Sequence, residues 1–166
     1  MTCLVFSDSH GESRNILKAI EKNPDAEVVF FLGDGLLDIE EIAPRYPNIA
    51  FFAVMGNCDR VSVFRSLPVK EVDSITLLGK KILFTHGHKY GAKFGIGALV
   101  SLAEKAECDI LLFGHTHEPM EKYISDLRPF YIFNPGSISG YNSSFGIIKI
   151  SESGVLLSHG SLLGKV

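Results

Sequence analysis

The chain has 166 residues, 46% of them apolar and 21% charged, a balance that can bury a core without disulfides and excludes a disordered polymer. Its net charge of -3, with no long block of Lys and Arg, gives no general attraction to nucleic acid or anionic membrane. No apolar stretch approaches the ~20 residues that span a bilayer, and no basic-then-apolar leader opens the chain, so one domain over residues 1–166 in the cytoplasm is expected.

The first apolar run, Cys3 to Phe6, reads as a strand that stops at Asp8-Ser9-His10-Gly11. Residues at i and i+2 of an extended chain share a face, so Asp8 and His10 can leave that strand side by side. Ile16, Leu17, Ala19 and Ile20 fall near helical spacing within Glu12 to Lys22, and Asn23-Pro24-Asp25 stops the helix. Glu27 to Leu32 is an apolar run of strand length followed by Gly33-Asp34-Gly35. Leu37 to Arg45 predicts a short helix with Asp38, Glu40 and Glu41 outward, closed by Pro44 and Pro47. Ile49 to Met55 is another buried strand and ends in Gly56-Asn57-Cys58-Asp59.

Arg60 to Val72 is polar and mixed, and yields no element. Ile75–Leu78 and Lys81–Thr85 pattern as a hairpin around Gly79-Lys80, and its second strand runs straight into His86-Gly87-His88. Phe94 to Ala106 has a helical pattern. Cys108 to Phe113 is again strand-like and ends in Gly114-His115-Thr116-His117. Shorter strands follow at Tyr123–Ile124, Phe130–Phe133, Phe145–Ile150 and Val155–His159. Strand–helix alternation in the first half predicts a parallel sheet, and the strand-rich remainder adds antiparallel pairing and a second packed sheet. Cys3, Cys58 and Cys108, an odd set, read as reduced thiols.

Five apolar runs therefore end in metal-competent side chains: Asp8 with His10, Asp34, Asn57, His86, and His115 with His117. Each alone has an ordinary reading: Asp34 as a helix N-cap, Asn57 as a turn residue, His86 as a satisfied core histidine. Jointly they point to one site, because ligands of open α/β sheets gather at the carboxyl ends of strands. Neighbouring glycines let the backbone turn sharply there. Four imidazoles, two carboxylates and an amide oxygen exceed one tetrahedral zinc site and suit two ions sharing a carboxylate. Two cations ~3.5–4 Å apart can hold the attacking and leaving oxygens of a phosphoryl group and acidify a bridging water. The chemistry expected is metal-assisted phosphoester hydrolysis. Manganese is the first choice, with iron, zinc or nickel open, because a mixed nitrogen and oxygen donor set selects weakly. Gly91, Gly95 and Gly97 do not match a nucleotide-binding loop. Arg14, Arg60, Arg65 and Arg128 are expected on solvated faces, and His159 in a structural role.

In order and spacing, Asp8-Ser9-His10, Gly33-Asp34, Gly56-Asn57-Cys58-Asp59, His86 and Gly114-His115-Thr116-His117 resemble the signature of calcineurin-like metallophosphoesterases. The Gly-Asn-Cys-Asp variant and Asn134-Pro135-Gly136-Ser137 look most like the compact bacterial and archaeal phosphodiesterase branch. The resemblance covers Asp8 to Ser137. It implies a four-layer αββα sandwich of two mixed β-sheets flanked by helices. It also implies that Asp8, His10 and His117 hold one metal, that Asn57, His86 and His115 hold a second, and that Asp34 bridges them. Many family members carry His where this chain has Cys58, and that His is thought to protonate the leaving group. His88 or a water is the expected substitute, and Asp59 is placed to support a ligand. The reaction implied is hydrolysis of a small phosphodiester by a metal-bridging hydroxide, with no extended nucleic acid or membrane as partner. A phosphomonoesterase or nuclease of the same superfamily is an alternative, as is a non-catalytic metal-binding scaffold. Scaffolds of the superfamily tend to have lost ligands, whereas here every expected ligand is present. A homo-oligomer is left open.

Overall fold

The structure is a computed structural model that describes residues 1–60, 69–125 and 128–162. In chain order its first half holds β1 (Thr2–Phe6), α1 (Ser13–Lys22), β2 (Ala26–Phe31), α2 (Leu36–Ile42), β3 (Ala50–Ala53), β4 (Val72–Leu77) and β5 (Lys80–Thr85). Then come α3 (Gly97–Ala106), β6 (Ile110–Leu112), β7 (Pro119–Ile124), β8 (Phe130–Pro135), β9 (Ser144–Ser151) and β10 (Gly154–Ser161).

Most apolar runs become strands covered on both faces; β3, expected as buried, is instead a partly covered strand at the sheet edge. In β1, Cys3 and Val5 point to one layer and Leu4 and Phe6 to the other, all of them buried. β2 divides the same way, Val28 and Phe30 against Val29 and Phe31. This period of two explains why such strands show no polar alternation: neither face meets water. The first sheet runs β10-β9-β1-β2-β3, parallel through β1, β2 and β3 and antiparallel through β9 and β10. The second runs β4-β5-β6-β8-β7, parallel in the middle and antiparallel at both edges.

Three apolar layers hold the sheets and helices together. Between the sheets lie Val5, Phe30 and Leu32 from one side and Phe84, Leu112 and Phe133 from the other. Ile16 and Ala19 of α1 and Leu36 and Ile39 of α2 cover the outer face of the first sheet. Leu99 and Ala103 of α3 cover the second sheet through Leu83, Leu111 and Ile132. The order is helix, sheet, sheet, helix, the αββα sandwich that the resemblance implies. Among the described residues, no helix is long and apolar enough to cross a membrane.

Several local expectations change. Asp38 does not face outward: it is buried, because α2 lies against the loop after β1. The helix expected from Phe94 begins at Gly97, since Gly95 takes a φ of 139° and separates it from a 3-10 turn at Ala92–Phe94. The helix expected to reach Arg45 ends its α-turns at Ile42 and tightens into a 3-10 turn at Ala43–Arg45, where Pro44 supplies no N–H. The hairpin turns on Leu78-Gly79, both at positive φ, rather than on Gly79-Lys80. Cys3 and Cys108 are buried free thiols, pushed up by burial to about 12 and about 11, whereas Cys58 is exposed.

Phe84 packs between the sheets, with its ring 5.2 Å from Phe30 and 6.4 Å from Phe52. Phe84→Ala is expected to cost ~3–5 kcal/mol, seen as a lower urea midpoint at unchanged slope. A loss of only about 0.5 kcal/mol, typical of a surface site, would show that the sheets are not joined through this layer.

Candidate metal centre

β1, β2 and β3 of the first sheet and β5 and β6 of the second deliver Asp8, His10, Asp34, Asn57, His86, His115 and His117 to one edge of the sandwich. His86 Nε2 lies 3.4 Å from Asp34 Oδ2, 3.1 Å from Asn57 Oδ1 and 3.9 Å from Asp8 Oδ1. His117 Nε2 lies 3.2 Å from that Asp8 oxygen and 3.5 Å from His10 Nε2, which is itself 4.0 Å from Asp8 Oδ1. The His86 and His115 rings meet edge-on at 5.0 Å. Two clusters result, Asp8 with His10 and His117, and Asp34 with His86 and His115, each with its donor atoms within 4.8 Å of one another. A third, of His10, Asp34 and Cys58, links them.

The route by which Asp8 and His10 converge differs from the expected one. They do not continue an extended strand: their φ values are 56° and 48°. Asp34, His115 and His117 are also left-handed, at 59°, 69° and 63°. Only two other non-glycine residues among those described, Leu78 and Glu107, have positive φ, so unusual backbone is concentrated at this edge. Asp and His tolerate that region better than bulky residues, but it still costs free energy and persists only where surroundings enforce it.

The surroundings are hydrogen bonds. The Asp59 carboxylate accepts the N–H groups of Asp34 at 2.8 Å, Gly35 at 2.9 Å, Leu36 at 3.0 Å and Gly56 at 2.9 Å. Asp34 Oδ1 accepts the Cys58 N–H at 2.7 Å. Asp38 Oδ2 accepts Ser9 Oγ–H at 2.6 Å and the Gly11 N–H at 3.0 Å, which fixes the turn carrying His10. Asn134 donates from Nδ2 to the Gly114 carbonyl and to Thr116 Oγ1, both at 3.0 Å, bracing the loop of His115 and His117. Ser137 donates to the Asp8 carbonyl at 2.9 Å, and His159 Nε2 donates to the Asn134 carbonyl at 2.8 Å. A Cβ on Gly56 would overlap the Asp34 carboxylate and N–H, so glycine is required for the two loops to touch.

Sequence reasoning missed the bracing roles of Asp38 and Asn134. Asp38 had no signal beyond helical phase, which misplaced it. Asn134 stood in a quoted motif, but its hydrogen bonds span 18 to 20 residues.

Electrostatically the edge is prepared for positive charge. Asp8 Oδ1 is fully buried and has no hydrogen-bond partner, while Oδ2 is satisfied by Ser7 Oγ–H and the His115 N–H. A buried ionisable oxygen without a donor is costly, and here it faces three imidazole nitrogens. Burial would raise the Asp34 carboxyl, but His86 and the Cys58 N–H outweigh it and hold Asp34 well below the usual carboxylate range. Burial disfavours a charged His86, yet the Asp34 and Asp8 carboxylates overcome this and raise it. His86 Nδ1 lies 2.7 Å from the Leu32 carbonyl; a carbonyl can only accept, so Nδ1 carries the proton and Nε2 is aimed at the cluster. His115 is lowered, first by burial and then by His86.

His88 stands at the margin, its ring 5.3 Å from His86 and 6.1 Å from His115, with a buried Nδ1 that has no partner. Burial and His86 lower it. Slight burial and the Asp34 carboxylate raise the Cys58 thiol, which keeps its proton at neutral pH. Of the arginines, Arg128 pairs with Glu107 at 3.1 Å, Arg14 is exposed, and Arg65 lies outside the described residues. Arg60, expected on a solvated face, is exposed but lines a cavity beside the clusters.

Residues 1–153 match the family model of the calcineurin-like phosphoesterase superfamily domain. The probable metallophosphoesterase YsnB of Bacillus subtilis is 35% identical over 139 residues, covering 83% of this chain and 75% of YsnB. A solved structure described as that of a novel archaeal phosphodiesterase superposes with a TM-score of 0.75 at 26% identity, over 98% of this chain and 100% of that one. Vps29 of Entamoeba histolytica, complexed with zinc, gives a TM-score of 0.78 at 21% identity, over 100% of this chain and 95% of Vps29, and shows likeness of fold.

Two outcomes are expected. Asn134→Ala frees the loop of His115 and His117 and should weaken manganese binding by about 10- to 100-fold in calorimetry; unchanged affinity would mean that another contact holds the loop. Binding should also release protons, because His86 is raised above its ordinary value and a ligating nitrogen must be deprotonated. Affinity then falls as pH drops from about 8 to about 6. Titrations in buffers of different ionisation enthalpy count the protons, and zero release at about pH 6.5 would remove His86 from the ligand set.

Proposed function

The chain belongs to the calcineurin-like phosphoesterase superfamily, and on that premise we propose that it is a dinuclear metal-dependent phosphodiesterase acting as one catalytic domain. The observation that carries this reading is the buried, unpartnered Asp8 Oδ1 facing the Nε2 atoms of His10, His86 and His117. An oxygen in that setting calls for a cation.

In this proposal Asp8, His10 and His117 would hold one divalent cation, Asn57, His86 and His115 would hold the other, and Asp34 would serve both. Bound cations supply Lewis acidity towards the phosphoryl group and lower the pKa of a water. The chain's own residues do the rest. Asp34 stays ionised because His86 and the Cys58 N–H favour its anion. Asp59, Asp38 and Asn134 keep the donor loops in register, so reacting groups meet a preorganised edge. For the leaving group's proton we assign His88 or a water; burial and His86 hold the His88 ring below its ordinary value, which favours the water at pH 7.

A diester is favoured over a monoester by the similarity to the archaeal protein described as a phosphodiesterase. Small substrates are favoured over nucleic acid by the net charge of -3. Manganese remains the first choice of metal. The exposed free thiol of Cys58 fits a reducing cytoplasm.

The test compares hydrolysis of an aryl phosphodiester and an aryl phosphomonoester by metal-stripped protein refilled with manganese. Metal-dependent diester turnover is expected, falling by about 10²-fold or more in Asp34→Asn and His115→Ala. Stoichiometric metal without turnover of either ester would favour the non-catalytic alternative, and absence of metal binding would overturn both.

A further inference from the structure

Beside the clusters lies a cavity of about 310 Å³, lined by His10 and Asp34 and, away from the ligand set, by Leu37, Asp38, Asp59 and Arg60. Two of its carboxylates, Asp38 and Asp59, are turned to the protein, and Asp34 keeps Oδ2 towards His86. Asp59 accepts four backbone N–H groups, Asp38 accepts Ser9 and Gly11, and Asp34 accepts the Cys58 N–H. Arg60 behaves differently. Among the described residues the ion pairs occupy Arg45, Lys70, Lys89 and Arg128, and Arg60 is in none of them. Leu37 is also unusual: it is 55% exposed while its neighbours Leu36 and Ile39 are fully packed. The cavity thus combines the edge of the candidate metal centre, an apolar surface and an uncompensated guanidinium.

We propose that this cavity receives one ester arm of the substrate, with Leu37 against its body and Arg60 pairing with a second anionic group on that arm. The proposal rests on the phosphodiesterase reading and narrows it to small diesters that carry an additional carboxylate or phosphate. A guanidinium suits either, because its planar fork gives two parallel N–H donors to a pair of oxygens. Leu37 contributes area without choosing between arms, whereas Arg60 is the specificity-determining residue.

Three 4-nitrophenyl phosphodiesters test this, with phenyl, 3-carboxyphenyl or 3-phosphonophenyl as the other arm. Wild-type protein should prefer the anionic arms in kcat/KM. In Arg60→Gln that preference should fall about tenfold through KM rather than kcat, with partial recovery in Arg60→Lys. The anionic arm whose preference falls more identifies the natural group as carboxylate or phosphate. Leu37→Ser should raise KM for all three. A second readout needs no turnover: calorimetric binding of phenyl and 3-carboxyphenyl methylphosphonate to the manganese-loaded protein and to Arg60→Gln. Selective binding lost in the variant, with no hydrolysis by either protein, would keep the subsite and reject the phosphodiesterase. Hydrolysis as proposed, with a preference that Arg60→Gln leaves intact, would reject the subsite and keep the enzyme.

Discussion

The Asp59 carboxylate, by accepting N–H groups from Asp34, Gly35, Leu36 and Gly56, ties the end of β2 to the end of β3. Hydrogen bonds to an ionised group contribute ~1.5–3 kcal/mol each, and a left-handed non-glycine residue costs ~1–3 kcal/mol. Four bonds to one carboxylate therefore exceed the strain of Asp34 at φ 59°. The same balance recurs where Asp38 holds the Gly11 turn and where Asn134 holds Gly114 and Thr116. Strained donors at this edge are stable because buried acceptors and donors from other segments surround them. Without these braces the strand ends would supply the same residue types but no fixed geometry.

The two sheets contribute different chemistry. From the first come both carboxylates, Asp8 and Asp34, with Asn57 and one imidazole, His10; from the second come His86, His115 and His117. The contacts His86 to Asp34 and His117 to Asp8 thus cross from sheet to sheet. Their distances are set by how the sheets pack, through Phe30 against Phe84 and the rest of the middle layer. Close-packed interiors resist sliding because a shift of one side chain displaces its neighbours. The apolar layer therefore belongs to the functional geometry as much as to stability.

Much of this was legible in the sequence for a physical reason. Strands covered on both faces must be apolar throughout, so the polar residue that ends each run is conspicuous, and Asp8, Asp34, His86 and His115 were found that way; Asn57 follows β3, an apolar edge strand that is only partly covered. The αββα order came from the resemblance; the succession of strand and helix patterns gave a parallel sheet, antiparallel pairing and a second packed sheet. What the sequence hides is conformation that depends on distant partners. Asp8 and His10 were read as neighbours on an extended face, but they meet through two left-handed residues. Asp38 was read by helical phase as outward, although its burial is decided by Ser9 and Gly11, at separations of 29 and 27 residues. The late start of α3 depends on Gly95, whose φ no local propensity specifies.

Charge balance constrains the same edge. Asp8 and Asp34 are almost completely buried, and buried anions are tolerated only when compensated. Backbone N–H groups satisfy Asp34 Oδ1 and Asp8 Oδ2, and the remaining oxygens lie within 4 Å of His86 Nε2, where they favour the charged form of that ring. In the proposed enzyme a divalent cation would answer the same electrostatic demand as a proton on His86, and the two would compete for Nε2. The imidazoles farther from the carboxylates, His88 and His115, are instead lowered by burial and by His86, leaving their nitrogens free to donate electron pairs. Among these three rings, His86, in contact with both carboxylates, is shifted in the opposite direction from His88 and His115.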